Sequence, residues 1–208
     1  MAQITAVNET ILQTKTKEQR KIITEFFLFK SGCGNREMTE NEYLSLVKNK
    51  YDSLKLKEKA LQKLGIDESQ VQEIEPVEFV GFSYEDDYFA KGNLTSKYES
   101  TWIFFSDTQI YVYSYLFDMT SNSTKERTEE YFYKDVTSFS SSTKSLEIIT
   151  SQPSGCGSSM NSVKGSIDMA YFSIVVPGDK FNCTMQSNDT TEKIIQGMKQ
   201  KLREKKNS

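Results

Sequence analysis

The chain has 208 residues, 37% apolar and 12% aromatic, enough for one substantial domain or for an ordinary domain plus a small helical one. It carries 26 Lys/Arg against 29 Asp/Glu and no histidine, which excludes Ser-His-Asp and Cys-His machinery and removes the main nitrogen ligand for zinc. No run of about 18 apolar residues exists, so no helix is expected to span a bilayer.

Residues 1–16 lack the basic start, apolar stretch and small-residue cleavage pattern of a signal peptide, and a cytoplasmic location is expected. Three cysteines fit that expectation, since a sparse odd count is no disulfide framework. Cys33 and Cys156 share a Ser-Gly-Cys-Gly context, and the reading taken is coincidence between two Ser/Gly-rich loops, with a disulfide as the alternative. Five sequons, at Asn8, Asn93, Asn122, Asn182 and Asn188, read as compositional.

Along the chain, the first apolar pattern runs from Thr16 to Lys30 and puts Ile22, Ile23, Phe26 and Phe27 on one helical face, although the run is β-branched and aromatic enough for a strand. Thr39 followed by Glu42 is a capping box, with Leu44, Val47, Tyr51 and Leu54 as the apolar stripe behind it. A second helix is predicted over Lys55 to Leu64, ended by Gly65, and Pro76 closes the helical part.

The period then changes to two. In Gln109 to Phe117, Ile110, Val112 and Leu116 point one way and Tyr111, Tyr113, Tyr115 and Phe117 the other. The second set cannot stay bare in water, so the N-terminal helices or another molecule must cover it, and these four are the candidate partner-binding residues. Further strands are predicted at Val77–Tyr84, Lys97–Phe105, Glu130–Tyr133, Val136–Ser140, Ser145–Thr150 and Asp168–Val176, and around Phe181, Cys183 and Met185. Met119–Thr128 and Ser151–Ser166 read as polar connections. Asp189 to Glu192 starts a last helix with Ile194, Ile195, Met198 and Leu202 on its buried face and a cluster of lysines at its end.

Residues 76–187 hold 8 Lys/Arg against 14 Asp/Glu, a field that repels nucleic acid, whereas residues 188–208 hold 6 against 3. Asp118, Thr120, Asn122, Thr124 and Glu129 fall at calcium-loop spacing, but Ser123 stands where glycine is needed, so a solvated hairpin loop is expected. The acidic run Glu85, Asp86 and Asp87 reads as a solvated turn. No cofactor and no metal are expected.

The strand-turn-strand WIFFSDTQIYVY, the acidic hairpin loop and EEYFYKDVTSF, spanning Trp102 to Phe139, resemble the middle of a bacterial pleckstrin-homology-like domain, and the last helix matches that fold's plug. The resemblance covers about residues 76–206. It implies an α+β chain: a pleckstrin-homology-like β-barrel or sandwich with a C-terminal capping helix (76–206), preceded by a small, mainly helical N-terminal region (1–75). It also implies binding in place of catalysis. In lipid-binding members the first hairpin grips phosphates with Lys and Arg, but here it presents Glu85, Asp86 and Asp87 against Lys91 and Lys97. The function expected is a non-enzymatic binding or assembly module for protein, itself included. The alternative is peripheral contact with anionic lipid through the basic C-terminal helix.

Overall fold

The computed structural model describes residues 2–3, 9–29, 36–71, 74–153 and 160–207. Cys33 and Cys156 lie outside them. The chain is α+β: short helices first, a sheet-rich body next, and one long helix at the end.

Seven main strands build the body. β1 (Ile74–Ser83), β2 (Lys97–Phe105), β3 (Gln109–Asp118) and β4 (Thr124–Phe132) form an antiparallel four-stranded sheet in that order. β5 (Ser138–Pro153), β6 (Met160–Val176) and β7 (Asp179–Met185) form an antiparallel three-stranded sheet with β6 in the middle. Alternation sends Val77, Phe79, Ile103, Phe105, Ile110 and Val112 of the first sheet against Phe172, Ile174, Phe181 and Cys183 of the second.

The two sheets stay separate, so of the barrel and the sandwich expected together, no closed barrel forms among the described residues. They approach closely where Gly81 of β1 meets β7, since a Cβ there would sit 3.3 Å from Thr184 Cβ. No ladder follows, because Thr184 donates its N–H to the Glu99 carboxylate at 3.0 Å and its hydroxyl to the same oxygen at 2.9 Å.

The final helix plugs the sandwich. It runs Asp189–Asn207 and is capped by Asn188, whose Oδ1 accepts the Thr191 N–H at 2.9 Å. Ile195, Met198 and Leu202, at 0, 2 and 5% exposure, complete the core, each contributing about 1.5–3 kcal/mol by leaving water.

The N-terminal helices form a third layer on the other face of the first sheet. It is made by α2 (Lys17–Lys21, continuing as a wider π turn over Ile22–Phe27), α3 (Glu40–Leu54) and α4 (Leu56–Leu64), with α1 (Glu9–Gln13) preceding them in the chain; the final helix is α5. The Thr39–Glu42 capping box forms as predicted, and Gly65 makes the left-handed exit at φ 66°. A second box, Thr16 with Gln19, starts α2.

Several expectations change. Tyr43, not Leu44, turns inward on α3: its ring stacks on Phe26 with centroids 4.3 Å apart and its hydroxyl donates to Thr95 O at 2.6 Å, while Leu44 is left 40% exposed. Pro76 lies inside β1, tolerated because β1 is an edge strand and its register slips between Ile74 and Val77. β4 begins at Thr124, six residues before the predicted strand start at Glu130, since an edge strand keeps its charges in water and shows no apolar period. The two strands predicted over 136–150 merge into β5, and strand pairing takes up most of the connection predicted over 151–166.

Candidate protein-binding surfaces

The face expected to need cover receives it from this chain. Tyr113 and Phe117 have no exposed surface and Tyr115 is 7% exposed, packed with Tyr43, Val47, Leu56 and Ala60 of α3 and α4. Tyr111 remains half-buried at the margin of the same cluster. A partner does not reach Tyr113, Tyr115 or Phe117 while these helices stay docked.

A carboxylate clamps α4 to the sheet. Glu126 of β4 accepts the Tyr113 hydroxyl at 2.6 Å and lies 3.1 Å from Lys59 Nζ and 3.2 Å from Lys63 Nζ, and Lys59 also sits 4.1 Å from the Tyr115 ring centroid. Burial pushes the Glu126 carboxyl up, but Tyr113, Lys59 and Lys63 together hold it below the usual glutamate value. The Tyr113 hydroxyl is pushed above the ordinary tyrosine range, by burial first and then by Glu126. Farther along the layer, Tyr51 donates to Glu78, which also accepts from Ser100 Oγ at 2.6 Å.

The loop with calcium-like spacing is filled by its own donors. Asp118 Oδ1 accepts from Thr120 N at 2.8 Å and Thr120 Oγ1 at 2.7 Å, and Oδ2 accepts from Ser121 Oγ at 2.9 Å. Asn122 accepts from Gln19 Nε2 at 2.8 Å. Glu129 stands five residues up β4 from Thr124, roughly 17 Å away, and pairs with Arg127 instead. Among the described residues, no group of three or more His, Cys, Asp or Glu is placed to hold a metal ion.

The acidic turn Glu85–Asp87 is tied down by lysines. Lys97 donates to Glu85 O at 3.1 Å, Lys125 Nζ lies 3.3 Å from the Glu85 carboxylate, and Asp86 takes the left-handed conformation at φ 54°. Cys183, on β7, is buried in the sandwich; burial, reinforced by the charge of Glu99, pushes its thiol well above the ordinary cysteine value.

A concavity lies between β1 and α5. This groove of about 580 Å³ has Pro76 and Val77 on one wall and Ile194 and Met198 on the other, and its charged lining residues are Glu75, Glu78, Glu204 and Lys201. Gly197 lies between Ile194 and Met198, and a Cβ there would meet nothing within 4 Å. A glycine in mid-helix costs about 1 kcal/mol relative to alanine, and no packing among the described residues calls for one here. The first half of β1 has no strand on its outer side among the described residues. None of these residues was singled out from sequence as a binding position. The one available signal was a glycine interrupting an amphipathic helix.

Comparison with family models, with curated proteins and with solved structures finds no match for this chain.

Proposed function

We propose that the protein is a non-enzymatic, protein-binding and assembly module of pleckstrin-homology-like architecture, and that the groove between β1 and α5 takes an extended peptide. The observation that carries this reading is the combination, in one groove, of an open strand edge with an apolar floor relieved at Gly197. The architecture is supported by the order of four antiparallel strands, then three, then a plugging helix. A segment laid along β1 adds a strand, main-chain bonds supplying affinity and alternate side chains entering above Gly197 supplying selectivity. Three carboxylates, Glu75, Glu78 and Glu204, outnumber Lys201 in the lining and favour apolar segments flanked by Lys or Arg.

Selection of random displayed peptides on the full chain tests this. Apolar-basic sequences should emerge and bind Gly197→Trp at least about tenfold more weakly. No enrichment, or equal binding by the variant, refutes the reading.

A second reading, contact with anionic lipid, has one observation in its favour. Phe132 is 51% exposed with Lys134 Nζ 5.5 Å from its ring centroid, at the end of the body where Lys206 reaches Thr137 O. Co-sedimentation with phosphatidylserine vesicles that weakens as salt rises supports it; no salt-sensitive binding refutes it.

A further inference from the structure

We propose that β4 pairs antiparallel with β4 of a second copy about a two-fold axis through Thr128, joining two four-stranded sheets into one of eight. The inference takes up the assembly side of the proposed function and rests on it, but uses no groove residue.

β4 is an edge of its sheet, with β3 as its extensive neighbour, and α4 lies over β2 and β3. The flanking bonds fix which backbone groups are unspent. Asp118 N donates to Ser123 O and Tyr133 N to Thr108 O, each at 3.2 Å and in phase with a ladder that sets Ile110 opposite Tyr131. Odd-numbered residues of β4 therefore turn their N–H and C=O toward β3. Even-numbered residues, Thr124 to Phe132, turn theirs outward.

Charged residues on an edge strand ordinarily keep strands apart. Here the pattern discriminates between registers. An axis at Arg127 opposes two arginines, and an axis at Glu126, Glu129 or Glu130 opposes two glutamates. The axis at Thr128 places a neutral residue on itself and sets Arg127 across from Glu129 of the second copy, twice. Arg127 Nε already lies 2.7 Å from Glu129 Oε1 on the same strand, so the four charges close into one network. Glu130 of the second copy then faces Glu126, whose charge Lys59 and Lys63 more than balance. All nine residues of β4 pair, forming about ten backbone hydrogen bonds. One strand pair buries less than the roughly 1,200 Å² of a standard interface, so the dimer is expected at micromolar concentrations and above.

Sedimentation equilibrium of the full chain tests this, with amide hydrogen exchange alongside. The wild type should dimerise, and the outward amides of Glu126, Thr128 and Glu130 should gain protection as concentration rises. Arg127→Glu and Glu129→Arg should each weaken dimerisation roughly tenfold or more, and the double exchange should restore it. Because Arg127 also sits 4.9 Å from the Phe181 ring centroid, Thr128→Pro is the second probe; it removes an outward N–H and no internal bond, and should abolish dimerisation with the fold intact. A wild type monomeric at millimolar concentration, or a dimer indifferent to Thr128→Pro and to both reversals, overturns the pairing. Peptide binding that responds to Gly197→Trp would survive either result, so the two readings fail separately.

Discussion

Replacing Glu126 with alanine should loosen the helical layer from the sheet. The carboxylate accepts the Tyr113 hydroxyl at 2.6 Å, and Tyr113 itself has no exposed surface. Losing a hydrogen bond to a charged acceptor and stranding a buried hydroxyl removes about 1.5–3 kcal/mol. The ion pairs to Lys59 and Lys63 are partly exposed and contribute roughly 0.2–1 kcal/mol each. Together Glu126→Ala should cost about 2–5 kcal/mol in urea unfolding at neutral pH. Glu126→Gln, which keeps an acceptor for Tyr113 and loses the charge, should cost about half as much. The pH dependence has a definite sign. A carboxyl held below its unfolded value of 4.5 stabilises fully above that value, and the contribution fades as pH falls through the lower folded value. The wild type should lose stability over that acid interval and Glu126→Gln should lose less. A Glu126→Ala penalty under about 0.5 kcal/mol, or acid limbs that coincide, would refute the clamp.

Phe172→Ala empties the middle of the sandwich, where the ring stacks on Phe79 at 4.7 Å, and should cost about 3–5 kcal/mol by the same unfolding assay. Gly81→Val should cost about 1–3 kcal/mol, because the new side chain enters the close approach of β1 to Thr184; an unchanged midpoint would contradict that approach. Gly197→Ala should stabilise by about 0.5–1 kcal/mol, since the added methyl meets open space and alanine is the better helix former; destabilisation would mean the groove is not open there.

Elements packed against an apolar layer announced themselves in the sequence. Lys97–Phe105 appears as predicted, and β3 runs one residue past Phe117, because both alternate between two apolar environments, the sandwich and the helical layer. The Thr39–Glu42 box and Gly65 were legible because capping is local chemistry. Only the end of β4, from Glu130, was: an exposed edge needs no apolar period, so Thr124 to Thr128 read as part of a polar connection. Tyr43 lost to Leu44 in the sequence pattern because a ring stack on Phe26 and a bond to Thr95 are non-local. The demand for cover over Tyr111–Phe117 was readable, but the choice between helices and a second molecule depended on packing. The groove was hidden because Pro76 and Gly197 lie far apart in the chain and meet only once α5 has docked.

The burial of Cys183 makes it a clock for the sandwich. No reagent meets a thiol enclosed by β7, its neighbours and the Glu99 field until the sheets part, so alkylation should proceed at the frequency of that parting. In a chain with Cys33 and Cys156 changed to serine, the modification rate would report how often the interior breathes, without any probe being added.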